Sequence, residues 1–278
     1  MVERWASPGC RRVTGSRLAA AVAVTGLLWG WAGDAAAQTA PAAAPQQPPT
    51  PKAEGPIDLT GYWVANISED WRWRMVTPAR GDYASIPIRP ETKRLADAWD
   101  PAKDEAAGEQ CKSYGAPALM RTPTRLRFSW VDDETLKMET DYGMQTRLFH
   151  FGRQPAASIR PSWQGASSAQ WVTGGRGGGG GGGAPAAGPG QPRFGSMKTV
   201  TTRLRPGYLR KNGVPYSANT VLTEYWDVHR LENGDRWMVV TILVEDPTYL
   251  QLPWMTSMHF KMERDGSKWD PTPCSSRW

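Results

Sequence analysis

Apolar and polar residues alternate along most of the chain after residue 57. In residues 125–130 a leucine, a phenylalanine and a tryptophan stand between polar residues, and residues 136–139 continue the alternation after a turn at Asp132 and Asp133. Because successive side chains of a β-strand point to opposite faces, this period of two predicts strands with one buried face. The short polar turn joins these two strands as a hairpin.

The same pattern recurs along the rest of the chain. It predicts further strands at residues 61–67, 144–151, 162–172, 197–204, 221–230, 236–244 and 254–263. Asn233 and Gly234 supply the positive dihedral angles of a hairpin turn. One short helix is predicted, beginning after Pro90 and ending before Pro101. About eight or nine strands at hairpin spacing indicate an all-β, antiparallel up-and-down barrel, with a β-sandwich as the alternative.

Two low-complexity segments delimit the predicted domain. Residues 38–56 are mostly Ala, Pro, Gln and Thr, which cannot bury enough apolar surface to offset the entropy of ordering, so a disordered linker is expected. Residues 174–195 include seven consecutive glycines, which predicts an exposed, disordered loop. Residues 57–278 therefore form one β domain that contains this loop.

The N-terminus has the organisation of a signal peptide. Four arginines lie in the first 17 residues, an uncharged apolar run covers residues 18–31, and three alanines end at Ala37. The run is shorter than the roughly 20 residues that span a bilayer, which argues against a membrane anchor. We expect cleavage after about Ala37 and a periplasmic or secreted product.

Cysteine content agrees with export. Cys111 and Cys274 are the cysteines that follow residue 37, and two cysteines in an exported protein predict one disulfide. The alternative is a reactive thiol, which needs a basic or helix-capping environment. Lys112 alone gives that alternative little support.

Charge and motifs exclude several function classes. The chain has 33 Lys and Arg against 27 Asp and Glu, and the basic residues are scattered, which argues against a nucleic-acid partner. It contains no Gly-x-Ser-x-Gly elbow, no His-Glu-x-x-His and no Walker-type lysine loop. We therefore expect no hydrolase or nucleotide enzyme of these kinds and no cofactor.

Glu224 is the acid with the most informative neighbours. It shares its strand face with Leu222 and Trp226, and a carboxylate among large apolar groups must be paired or protonated. One interpretation makes Glu224 a catalytic acid or base working with His229. The other makes it the partner of Arg147 in a buried ion pair that ties strands together.

Several residues are candidates for ligand binding. Twelve of the chain's 15 tryptophans follow residue 37, more than one core usually absorbs, so some of them should line a cavity or groove. If residues 71–74 are extended, Trp71 and Trp73 form an aromatic platform beside Arg72; an edge strand with buried indoles is the alternative. Tyr225 and Arg210 are further candidates, the latter in a basic loop that could close over an anion.

All three histidines lie in predicted strands. His150, His229 and His259 could bind a divalent metal if they shared one face of the sheet. The neighbours of His150 on its face are apolar, whereas those of His259 are polar. Separate, hydrogen-bonded histidines are therefore the favoured interpretation, and no metal is expected.

Two resemblances accompany these patterns. Residues 58–63 (DLTGYW) resemble the entry strand of lipocalin-type barrels, which carries Gly-x-Trp at the closed end. Nearly the whole chain after residue 37 is similar to a family of uncharacterised, exported, Trp-rich bacterial proteins. The segments that carry this second resemblance are residues 69–74, 81–83, 204–213, 222–225 and 244–247. Neither resemblance implies catalytic residues.

These observations support three hypotheses. The first is a periplasmic, lipocalin-like barrel that binds a small apolar or aromatic ligand in a Trp-lined cavity, with Arg147 and Glu224 as polar anchors. The second is an enzyme without cofactor that uses Glu224 and a histidine for acid/base chemistry on such a ligand. The third is an envelope accessory protein. The expected partner is a small molecule, and the sequence leaves the oligomeric state open.

Overall fold

The protein folds as an all-β barrel. The computed structural model describes residues 48–152, 158–173 and 195–277. In this part of the chain the strands are β1 (Gly61–Ala65), β2 (Arg125–Trp130), β3 (Thr135–Thr140), β4 (Thr146–Phe151), β5 (Ala166–Thr173), β6 (Gly195–Thr202), β7 (Gly207–Arg210), β8 (Val214–Tyr216), β9 (Val221–Arg230), β10 (Arg236–Glu245) and β11 (Trp254–Glu263).

Nine of these strands close into a barrel in the order β1-β11-β10-β9-β6-β5-β4-β3-β2. The remaining two, β7 and β8, pair with each other in a separate hairpin. Each strand that the alternation predicts is present, with ends shifted by a few residues, and closure of the sheet excludes the β-sandwich.

One pairing departs from the antiparallel prediction. Strands β4 and β5 run parallel, so the barrel is mixed. A parallel neighbour needs a connection long enough to return the chain to the starting edge, and residues 152–165 provide that length.

Most helices lie at one end of the barrel. The helices of the described residues are α1 (Pro51–Glu54), α2 (Trp71–Arg74), α3 (Pro90–Asp97), α4 (Pro101–Ala106), α5 (Ala116–Leu119) and a 3₁₀ turn at Gln110–Tyr114. Helices α2 to α5 lie in the chain between the end of β1 and the start of β2, and the β7-β8 hairpin precedes the start of β9. The strand register places the end of β1 and the starts of β2 and β9 at the same end of the barrel. We call it the helical end.

The helices correct the prediction of one short helix. Helix α3 is present where residues 91–99 predict it, but α1, α2, α4 and α5 were not predicted. Each is only four to six residues long, which is too short for a period of 3.6 to be visible in the sequence. None of the helices in the described residues is long and apolar enough to cross a membrane.

The structure also moves the start of the ordered domain. Residues 48–56 fall within the linker predicted at residues 38–56, yet residues 51–54 form α1 and contact the barrel. The predicted signal peptide, residues 38–47 of the linker and residues 174–194 of the glycine-rich loop lie outside the described residues.

The predicted disulfide is confirmed. Cys111 and Cys274 are bonded, with their Cα atoms 5.1 Å apart. The chain after β11 returns to the helical end, where Thr272 exchanges backbone hydrogen bonds with Asp141 and Gly143. The disulfide therefore fixes the C-terminal segment to the 3₁₀ turn at Gln110–Tyr114, and the hydrogen bonds of Thr272 fix it to the turn between β3 and β4.

We expect removal of the disulfide to lower the free energy of unfolding. The variant with Cys111→Ser and Cys274→Ser should lose about 2 to 5 kcal/mol, because the bond closes a long loop in the unfolded chain. Urea unfolding measures the loss. Dithiothreitol should lower the stability of the wild type to that of the variant and leave the variant unchanged; equal stability of both oxidised proteins contradicts this expectation.

Candidate functional site

A cavity of about 290 Å³ lies at the end of the barrel opposite the helical end. We call it the end cavity. Its lining residues are Lys52, Gly55, Ile57, Asp58, Leu59, Thr60, Trp130, Leu136 and Trp171. They come from the chain that enters β1, from the adjoining ends of β2 and β3, and from β5.

The chain just before β1 forms one wall of the end cavity. Thr50 caps α1 by accepting a hydrogen bond from the backbone of Ala53 (3.4 Å). The indole Nε1 of Trp171 donates to the carbonyl oxygen of Pro51 at 2.7 Å. At Gly55, which ends α1, a Cβ would lie 3.1 Å from the Trp171 ring, so the absence of a side chain permits the close approach.

Aromatic rings form the opposite wall. The ring of Phe151 lies 5.5 Å from that of Trp130 and 4.8 Å from that of Trp171, both in tilted arrangements. Asp58 is one of the few charged residues at the cavity, and its carboxylate accepts hydrogen bonds from the backbone and hydroxyl of Thr60 (2.9 and 2.6 Å). A largely apolar lining with few polar groups is typical of small-molecule sites.

A second group of rings fills the barrel below the end cavity. Trp226 packs edge to face against Phe128 and Phe149, at centroid distances of 5.7 and 5.6 Å. All three side chains are almost fully buried. By strand alternation Phe149 lies between Phe151 at the cavity wall and Arg147 further inside. These rings therefore separate the end cavity from the polar groups of the interior.

Arg147 and Glu224 form a bidentate ion pair inside the barrel. Arg147 donates from Nη1 to Oε1 of Glu224 at 2.8 Å and from Nη2 to Oε2 at 2.6 Å. Both side chains have 0% exposure. Thr199 donates to Oε2 of Glu224 at 3.0 Å, and Thr201 accepts from Nη2 of Arg147 at 3.1 Å. Of the two interpretations of Glu224, the geometry matches the buried ion pair between strands.

The structure does not bring Glu224 and His229 together. They lie five residues apart on β9, so Glu224 points inward whereas His229 is exposed on the outer surface. Both oxygens of Glu224 already accept charge-assisted hydrogen bonds. The carboxylate therefore has no histidine with which to exchange a proton.

The histidines lie on three separate strands, β4, β9 and β11, all with side chains on the outer face. His150 lies near the hydroxyl of Thr135 (3.5 Å), and His259 contacts the carboxylate of Glu69. Across the described ranges no group of three or more His, Cys, Asp or Glu side chains is placed to hold a metal ion.

The predicted aromatic platform does not form. Residues 71–74 are the helix α2, so the extended backbone on which the platform depends is absent. Trp71 is 60% exposed, Arg72 pairs with Asp82 at 2.7 Å, and Arg74 is buried. Four residues of Trp and Arg carry no strong preference against a helix, and tertiary contacts decide the outcome.

The other candidate residues also lie away from the end cavity. Tyr225 is on the outer face of β9, where Lys198 stands 5.6 Å from its ring. Arg210 is buried at the helical end and donates to the carbonyl oxygens of Asp82 and Ala84. Neither they nor Arg147 and Glu224 line the cavity.

Trp130 and Trp171 are the cavity residues that sequence reasoning did not single out. Trp130 ends the inward-facing series that begins at Leu126, so the parity of β2 gives its direction. That Trp130 lines a cavity together with the chain before β1 depends on barrel closure, which alternation does not encode. The general expectation that some tryptophans line a cavity is met by these two.

Lys211 is buried between two tyrosines at the helical end. Its Nζ donates to the hydroxyl of Tyr114 at 3.2 Å and lies 4.4 and 4.9 Å from the ring centroids of Tyr114 and Tyr142. Burial lowers the pKa of the Lys211 ammonium to about 5. The sequence suggests an exposed basic loop here, whereas the structure provides an uncharged amine at neutral pH.

No protein-family model, curated protein or solved structure matches this chain.

We expect Glu224→Gln to lower the free energy of unfolding by about 3 to 5 kcal/mol, because it leaves the buried Arg147 charge uncompensated. The double variant Arg147→Met, Glu224→Leu should recover most of this loss. Lys93→Ala, which removes the exposed Lys93–Asp97 pair, is the control and should cost less than about 1 kcal/mol. Urea unfolding measures all three, and a similarly small cost for Glu224→Gln would refute the structural role.

Lys211 should make stability depend on pH. Its pKa is lowered in the folded state, so between about pH 5 and pH 10 the unfolded chain binds more protons and stability rises with pH. We expect the advantage of Lys211→Met over the wild type to shrink by up to about 1.4 kcal/mol per pH unit across this window. Urea unfolding at pH 6.5 and 9 measures it. Lys268→Met, at an exposed site, should show no such trend; a constant advantage for Lys211→Met rules out a neutral buried amine.

Proposed function

We propose that the chain is an exported binding protein that takes a small, neutral, apolar or aromatic molecule into the end cavity. The Cys111–Cys274 disulfide supports export, because such bonds persist in oxidising compartments. The predicted signal peptide points to the same location.

The observation that carries the proposal is a Trp-lined cavity of about 290 Å³ at the barrel end. An apolar cavity of about 150 Å³ is large enough to hold benzene, so this volume suits a molecule of one or two rings. Trp130 and Trp171 offer flat apolar surfaces, and aromatic pairs gain about 0.5 to 1.5 kcal/mol beyond the burial of area.

Binding is favoured over catalysis by the charges near the cavity. Asp58 is occupied by hydrogen bonds to Thr60, and Lys52 lies 3.8 Å from the carboxylate of Asp133. The Arg147–Glu224 pair lies behind the aromatic group of Phe128, Phe149 and Trp226. The proposed ligand site therefore lies at the barrel end and does not use the two polar anchors suggested by the sequence.

The proposal is tested with N-phenyl-1-naphthylamine, a neutral aromatic probe whose fluorescence rises in apolar surroundings. The wild type should bind it saturably, with quenching of tryptophan emission. Trp171→Ala removes one wall and the hydrogen bond to Pro51, and we expect its dissociation constant to rise at least tenfold.

Trp237→Ala is the matched control for this experiment. Trp237 lies on the outer face of β10, where Lys261 stands 5.9 Å from its ring, and it does not line the cavity. Its substitution should leave the dissociation constant unchanged. Non-saturable fluorescence in the wild type, or equal affinity of Trp171→Ala and the wild type, would be incompatible with the proposed site.

A further inference from the structure

Three arginines are buried close together at the helical end. Arg74 of α2 is 1% exposed, Arg121 after α5 is 7% exposed, and Arg210 of β7 is 3% exposed. We call these residues the arginine cluster. They lie at the opposite end of the barrel from the end cavity, and none of them lines the proposed ligand site.

Within the described residues, Arg74 and Arg121 have only uncharged hydrogen-bond partners. Arg74 donates to the carbonyl oxygens of Asn66 (2.9 Å) and Met120 (3.4 Å), and its buried Nε has no partner among the described residues. Arg121 donates from Nη1 to the hydroxyl of Thr256 at 3.1 Å. In the described part of the chain, no carboxylate lies within 4.0 Å of the guanidinium nitrogens of Arg74 or Arg121.

The charges of the cluster act on one another. Burial lowers the pKa of Arg121 to about 10, helped by the positive charges of Arg210 and Arg74 and opposed by Asp70. Asp70 is exposed to solvent, and the nearby Asp82 is paired with Arg72. Burial also lowers the pKa of Arg74 to about 10, opposed by Glu69 and Asp70, so Arg74 and Arg121 both stay protonated at neutral pH.

The surroundings of the cluster are shaped for a ligand. The Arg121 guanidinium lies 4.7 Å from the ring centroid of Trp254, which fixes its plane. Asp70 and Ser85, which flank the cluster, adopt left-handed backbone conformations with φ of 53° and 65°. Such conformations are costly for residues other than glycine and concentrate at binding sites.

We propose that the arginine cluster binds the oxyanion group, carboxylate or phosphate, of a small molecule. Arg74 and Arg121 are buried charges without a carboxylate in ion-pair contact among the described residues, which is unfavourable, and an anion would supply that contact. Guanidinium groups present planar pairs of donors that match carboxylate and phosphate oxygens. The unpartnered Nε of Arg74 and the remaining donors of Arg121 are the groups that would hold it.

The test uses inorganic phosphate and benzoate as probes, with chloride at matched ionic strength as the reference. At a concentration 100-fold above the dissociation constant, a bound anion should raise the Tm of the wild type by about 5 to 10 °C. Calorimetric titration with each probe gives the dissociation constants and shows which of the two oxyanions the site prefers.

Arg121→Leu should abolish this Tm shift, because it removes the most accessible member of the cluster. Arg127→Leu is the matched control: Arg127 also stands over a tryptophan ring, that of Trp269 at 5.3 Å, but it is paired with Glu139. Arg127→Leu should keep the full anion response.

A conservative variant covers the case in which Arg121→Leu does not fold. Arg121→Lys keeps the charge but loses the forked donors, and its affinity for the probe should fall at least tenfold. The proposal is overturned if neither probe stabilises the wild type beyond chloride. It is also overturned if the substitutions at Arg121 leave the anion response unchanged.

Discussion

The packing of the barrel interior depends on the ion pair between Arg147 and Glu224. The two residues lie on β4 and β9, which are separated in the sheet by β5 and β6, so their side chains join strands that share no backbone hydrogen bonds. Charges removed from water need hydrogen bonds beyond the ion pair itself, and the hydroxyls of Thr199 and Thr201 supply one to Glu224 and one to Arg147. The middle of the barrel is therefore filled by side chains, and the cavity lies at the barrel end.

The two ends of the barrel differ in the chemistry of their side chains. At the end cavity, indole rings and the chain before β1 enclose apolar space. At the helical end, short helices and the β7-β8 hairpin bring arginines and Lys211 into the protein among backbone carbonyls and aromatic rings. The ligand that we propose for the end cavity is therefore neutral, whereas the one that we propose for the helical end is an anion.

The fold was predictable because alternation is a local signal. Strands such as β9 (Val221–Arg230) and β11 (Trp254–Glu263) have the predicted bounds, and the opposite faces of Glu224 and His229 follow from parity alone. The site was less predictable, since it depends on contacts between distant segments. The approach of Pro51 to Trp171 and the helical form of residues 71–74 arise from tertiary packing.

Closure of the sheet has a consequence for when the molecule can fold. Strand β1 pairs with β11, so the first strand of the barrel waits for the last one, and Cys111 likewise waits for Cys274. A ribosome must synthesise the chain through β11 before this seam can form, and such distant pairings are slow to nucleate. The barrel thus stays unclosed until its last strand has been made.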